Sequence, residues 1–327
     1  MLIRLLCLPL VLCAALTLAA AATDLKIGMI GLDTSHVVEF TRRLNDPTDK
    51  EYIPGTRVVA AFKGGSQDIP TSWNRVEGFA KSLQEKYGVK LVDSIEALLP
   101  EVDVVMIESV DGRPHLEQAI PVIKAHKPLF MDKPVAGSLR DALKIYRLAR
   151  ENGVPIFSSS SLRYYPNLRE MKTAEIGELK GAFSCGPCEL EPHHPDLFWY
   201  GIHSTEELYT VMGTGCESVV CTATANTHLV TGLWKDGKVG TLCGLRKGAA
   251  PYRMTVFGTK KVLDEQLDGG YTPFLREVVK FFQSGIAPVP AEETLEIYAF
   301  MEAADESKRQ GGCPVKLADI MKKNGGE

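Results

Sequence analysis

The chain has 327 residues, with 37 Lys+Arg against 41 Asp+Glu and a formal net charge of −4. Its 45% hydrophobic content is that of a globular protein and excludes wholesale disorder. The acidic balance leaves no basic footprint, which argues against nucleic acid as a partner, and the length predicts about two domains of ~150 residues.

Met1–Arg4 is a short basic start, and Leu5–Thr23 carries no charge and contains Ala19–Ala22. This is the pattern of a secretory signal peptide over 1–22, with cleavage expected after Ala22. An uncleaved anchor is the alternative, since ~20 apolar residues can span a bilayer. Leu6 and Leu12 are too large to precede a lipobox cysteine at Cys7 or Cys13. No twin arginine is present, so Sec-type export of an unfolded chain to a periplasmic or extracellular location is expected. After cleavage no stable membrane anchor is expected.

The next stretch alternates strands and helices. Leu25–Ile30, Arg57–Phe62, Val102–Ile107, Pro128–Met131 and Val154–Phe157 read as short buried strands. Between them Ser35–Leu44, Trp73–Tyr87 and the periodic apolar residues Leu116, Ile120, Ile123 and Leu139, Leu143, Tyr146 read as helices. Such alternation predicts an α/β fold, a Rossmann-type doubly wound parallel sheet over 23–160. From 161 to 327 the pattern changes. Gly181–Ser184, Ser218–Thr224, Leu229–Leu233, Gly240–Leu245 and Arg253–Phe257 are strand-like, with Asp236-Gly237 and Gly258-Thr259 as hairpin signals. Phe274–Phe282 and Glu293–Ala304 follow as amphipathic helices. This half reads as an α+β domain with a mostly antiparallel open sheet.

A dinucleotide-binding domain usually carries G-x-G-x-x-G after its first strand. Here the segment is Gly31-Leu32-Asp33-Thr34-Ser35-His36, so only the first glycine is in place. Asp33 is a candidate N-cap whose carboxylate would occupy the positive helix end that receives the pyrophosphate. Thr34 and Ser35 keep hydroxyls that can reach a phosphate. The acid expected after the second strand is replaced by Lys63-Gly64-Gly65-Ser66. Lys63 suits a 2′-phosphate, or is simply a solvated loop charge. NADP is therefore expected at least as strongly as NAD.

The eight cysteines include Cys7 and Cys13 in the leader; the rest are Cys185, Cys188, Cys216, Cys221, Cys243 and Cys313. Export permits pairing, and free buried thiols are the alternative. Cys185-Gly186-Pro187-Cys188 has the spelling of a redox motif. It is followed by Glu189, Glu191 and two prolines, which argue against the helix a low-pKa thiol needs. Cys185, Cys188, His193, His194 and His203 are zinc ligands by type, but their spacing is irregular and no metal is expected.

Asp132-Lys133-Pro134, after a short strand and before a helix, resembles the Glu-Lys-Pro signature of the glucose–fructose oxidoreductase, inositol dehydrogenase and rhizopine-catabolism (Gfo/Idh/MocA) family. Ser109 to His115 stands where that family has a Thr-Pro-Asn…His segment. Arg163 matches the arginine after its sixth strand, and Gly201-Ile202-His203-Ser204-Thr205-Glu206 is similar to its Gly-x-His-x-x-Asp motif. The resemblance implies an NAD(P)-dependent oxidoreductase of a sugar, cyclitol or related polyol. Lys133 would hydrogen-bond the reacting hydroxyl, His203 would be the acid or base, and Glu206 would orient the ring or bind substrate. Ser109, Asp111, His115, Asp132 and Arg163 would join Gly31, Asp33, Thr34, Ser35 and Lys63 around the cofactor, with Tyr200 lining the cleft. A homo-oligomer is expected by analogy of fold. Each residue also has a plainer reading: a loop ion pair for Lys133, a satisfied structural histidine for His203, a helix-start acid for Glu206. Two other functions stay open: an exported binding or non-redox member that has lost the dinucleotide, and a glycosidase or lyase that retains NAD.

Overall fold

The structure, a computed structural model, describes residues 24–326. The expected signal peptide lies outside the described residues. The first layer is built from β1 (Leu25–Ile30), α1 (His36–Asn45), β2 (Thr56–Phe62), α2 (Pro70–Tyr87), β3 (Lys90–Val92), α3 (Ile95–Leu98), β4 (Val104–Ile107), α4 (His115–Lys124), β5 (Leu129–Met131), α5 (Leu139–Glu151) and β6 (Ile156–Ser158). All neighbours pair in parallel, in the order β3-β2-β1-β4-β5-β6. Helices on both faces explain why β4 and β5 are buried along their whole length. The order reverses between β1 and β4, and a doubly wound sheet places its ligand in the crevice at that switch point.

The helix boundaries follow local chemistry. Pro70 opens α2, where a missing N–H costs nothing, and Gly88 closes it at φ +65°. Ser138 caps α5 by accepting the Asp141 N–H at 3.1 Å.

A 3₁₀ turn (Ser161–Tyr164) and α6 (Pro166–Thr173) lead to the second layer: β7 (Leu179–Pro187), α7 (Gly201–Met212), β8 (Cys216–Ala223), β9 (Thr227–Trp234), β10 (Val239–Leu245), β11 (Arg253–Gly258), β12 (Val262–Gln266), α8 (Tyr271–Ser284), α9 (Ala291–Arg309), β13 (Val315–Lys316) and α10 (Leu317–Lys323). Its seven strands run β12-β11-β7-β10-β9-β8-β13. Every pair is antiparallel except β10 with β7. α7 and α9 pack against this sheet.

One helix departs from the expected division. α8 leaves the second half and returns to the first. Its Phe274 packs on Phe40, Phe130 and Tyr164 at ring separations of 5.8, 5.5 and 5.7 Å, and Phe281 packs on Phe157 at 4.8 Å. The apolar face of α8 therefore completes the core beneath β1, β5 and β6 rather than the second sheet.

Candidate active site

The loops after β1, β4, β5 and β6 meet α7 around a cleft of about 340 Å³. Thr34, Ser35 and His36 line it from the open end of α1, Thr71 and Arg75 from α2, Lys133 from the loop after β5, and His203 and Tyr200 from the start of α7. A helix N-terminus facing a cleft is suited to an anion.

Gly31 brings the first loop close to the loop after β4. It sits at φ +86°, and a Cβ there would lie 2.1 Å from Ser109 Oγ. Asp33 then joins three segments. Its carboxylate accepts from Val110 N–H at 2.9 Å and from Ser72 Oγ at 2.6 Å, and it is fully buried. This corrects its assignment as a helix cap. Ser35 holds the N-cap position of α1, without a side-chain cap bond, and the Asp33 carboxylate is engaged away from the helix end. Burial raises the Asp33 pKa, against the hydrogen bonds from Ser72 and Val110.

Lys133 and His203 are buried on the same cleft. The Lys133 ammonium lies over the Tyr200 ring, 5.3 Å from its centroid. Burial lowers its pKa from the usual 10.5, partly opposed by Asp132 and Glu108. His203 Nδ1 is 2.7 Å from Ser160 Oγ. Burial, then Lys133 and His36, hold the imidazole well below its usual 6.5, so it is neutral near pH 7. The plainer reading of Lys133, a loop ion pair with Asp132, is not found among the described residues. Asp132 accepts the Lys133 backbone N–H at 2.8 Å and pairs instead with His36 Nδ1 at 2.5 Å.

Several expected residues lie outside the cleft, each with its side chain already engaged. Glu206 and Arg163 form a buried ion pair at 2.6 Å, with Glu293 joining at 2.5 Å, so neither orients the His203 ring. His115 is buried, with Nε2 2.8 Å from the Ser109 carbonyl and Nδ1 3.3 Å from that of Val135. The Ser109 hydroxyl is exchanged with Gln118. Asp111 is held by Arg113, by Ser66 Oγ at 2.6 Å and by His194 at 3.1 Å. Burial would raise the Asp111 pKa, but these partners lower it overall. Lys63 pairs with Glu77 at 2.8 Å on the surface.

Among the described residues all six cysteines are free. Cys185 lies within β7 opposite Cys243, and burial pushes it up to about 11 and Cys188 to about 12. Those thiols are poor nucleophiles, as the surrounding prolines and acids predict. Several residues of the site carry no sequence motif, among them Thr71, Arg75, Trp199, Tyr252 and Glu108. Thr71 lies before the helix that periodicity starts at Trp73, with Pro70 the signal for the earlier start, and Arg75 lies inside that helix but on no motif. Glu108, fully buried at the end of β4, gave no periodic or motif signal.

Residues 25–160 match the family model for the Gfo/Idh/MocA oxidoreductases, described as an oxidoreductase family with an NAD-binding Rossmann fold. That match spans the first sheet and its helices, less than half of the chain. The chain is 34% identical over 121 residues to a 1,5-anhydro-D-fructose reductase of Ensifer adhaerens, a match covering 36% of each protein. It is 23% identical over 296 residues to a myo-inositol 2-dehydrogenase of Thermotoga maritima, covering 74% of this chain and 88% of that one. The match to the reductase thus spans about a third of that relative's length. In fold the chain superposes on a myo-inositol 2-dehydrogenase from Lactobacillus plantarum with a TM-score of 0.73, at 14% identity, over 90% of this chain and 99% of that one. Lys133, from the Asp132-Lys133-Pro134 segment of the first layer, and His203, from the second, converge on one cleft.

Proposed function

We propose that the protein is an NAD(P)-dependent oxidoreductase of a sugar, cyclitol or related polyol. The observation that carries this reading is the convergence of a buried ammonium and a neutral imidazole beside an open helix N-terminus. A dinucleotide fits the phosphate end of the site. Thr34 and Ser35 at the α1 end and the Arg75 guanidinium would hold its phosphates, and the Asp33 carboxylate is engaged elsewhere. The ribose end has no free acid, which leaves NADP and NAD both admissible. When bound, the nicotinamide supplies the hydride acceptor or donor.

The protein's own residues handle the proton. Ser160 Oγ already accepts the Leu162 N–H at 3.2 Å, and a second lone pair can take the His203 Nδ1–H. Nε2 is then the base, and it has no hydrogen-bond partner among the described residues. It takes the proton of the reacting hydroxyl in the oxidative direction. The Lys133 ammonium stabilises the oxygen as it gains negative charge, in a buried site where such a contact is strong. Trp199, Tyr200 and Tyr252 give the cleft aromatic walls with polar tips, suited to a polyol. We place this activity outside the cytoplasm on the strength of the leader. Screening cyclitols and sugars with NAD and NADP tests the reading. Turnover that is lost in Lys133→Met supports it, and undiminished turnover in that variant contradicts it.

A further inference from the structure

We propose that His36, Glu108 and Asp132 form a binding site for one divalent first-row transition-metal ion at the floor of the cleft. The three side chains come from the start of α1, the residue after β4 and the residue after β5. One ligand atom from each lies within 4.8 Å of the others. Sequence reading found no metal site because these residues are far apart in the chain and fit no ligand spacing.

The decisive observation is Glu108. Its side chain is 0% exposed, and neither carboxylate oxygen has a hydrogen-bond partner. Buried polar groups are almost always satisfied, and an orphaned carboxylate calls for an explanation, an ion among them. Lys133 does not supply it. Its ammonium leans over Tyr200 and forms no ion pair with Glu108 or Asp132 among the described residues. A divalent ion does supply it, because two carboxylates match its charge and an imidazole nitrogen adds a third donor. One nitrogen and two carboxylates suit Mn²⁺, Fe²⁺ or Zn²⁺.

The His36 ring is held by packing: it stacks on Phe40 and meets Tyr271 edge-on, with both centroids 5.0 Å away. Its Nδ1 is hydrogen-bonded to Asp132 Oδ2 at 2.5 Å, so an ion enters by displacing the proton of that bond and opening the two atoms to about 3 Å. Of the three ligands only His36 lines the cleft. A second histidine–carboxylate cluster, Asp196, His228 and Asp305, differs in kind: Lys308 already pairs with Asp196 at 2.5 Å. It serves as the control.

The inference stands apart from the dinucleotide reading, and its test contains neither substrate nor nucleotide. Chelator-stripped full-length protein is dialysed against Mn²⁺ or Zn²⁺ and analysed by plasma mass spectrometry, with affinity from calorimetry. One ion per chain is expected. Glu108→Gln and His36→Ala should each weaken it on the order of 100-fold or more, and His228→Gln should leave it unchanged. Should the variants misfold, the visible spectrum of wild-type protein loaded with Co²⁺ decides: d–d bands of a site with one imidazole and carboxylates support the assignment. Absence of stoichiometric metal at millimolar concentration overturns it. So do loss of the ion in His228→Gln or a Co²⁺ spectrum of the free aqua ion.

Discussion

Burial is the largest influence on both Lys133 and His203, and it lowers the pKa of each below its usual value. Lys133→Met should therefore lower kcat by roughly 10²–10⁴ while leaving dinucleotide affinity nearly unchanged, as read by steady-state kinetics and calorimetry. The pH dependence has a definite sign. Oxidation requires neutral His203 and charged Lys133. The acid limb of kcat/KM should fall below pH 6.5 and the alkaline limb below pH 10.5, with the acid limb removed in His203→Gln. Asp305 gives a separate test of stability. Burial, then repulsion by Asp196, raises its pKa to about 7. A raised carboxyl pKa means stability that is full below the unfolded value of 3.8 and lost as pH rises through about 7. Asp305→Asn should therefore stabilise the protein by about 1–3 kcal/mol at pH 8 and by little at pH 4, as read by denaturant titration.

At the scale of elements, the loop after β1 is the decisive piece. Asp33 ties it to Val110 and Ser72, and Asp33→Asn should cost about 1–3 kcal/mol by losing charge-assisted bonds in a buried place. Unchanged stability in thermal melts would remove that role. The same loop shows what was legible in the sequence. The parallel strands were readable because buried β-branched runs such as Val104–Ile107 alternate with helices, and Lys133 and His203 were readable because each carries a local motif. The destination of the Asp33 carboxylate was not, because its partners lie in the first turn of α2 and in the loop after β4, far away in sequence. Glu206 and Arg163 were recognised as special residues but given the wrong work: their ion pair links the 3₁₀ turn to α7 across a distance in sequence that no local pattern records. β3 and β13 were missed because they are only 3 and 2 residues long, and β12 because its exposed, polar sequence shows no alternation. α8 was correctly seen as amphipathic, but periodicity gives a face without naming the core it joins.

At the scale of the whole molecule, the second sheet has one face covered by helices and one open. Leu229, Leu233, Val239 and Phe257 stand on the open face, each more than 40% exposed. Such a patch marks an interaction surface, and we propose a second copy of the chain as its occupant. Light scattering should show a dimer or larger assembly, and Val239→Lys, between Leu233 and Phe257 in that row, should shift it toward monomer. The two layers together frame the cleft: the first supplies Thr34, Ser35 and Lys133, the second His203 and Tyr200. That division of labour presumes a dinucleotide on the first layer. Calorimetric titration of the purified full chain with NAD, NADP and their reduced forms tests it most directly. Binding of one dinucleotide per chain is predicted, weakened about tenfold in Arg75→Ala by loss of a charge-assisted phosphate contact. No binding of any of the four at millimolar concentration would contradict it.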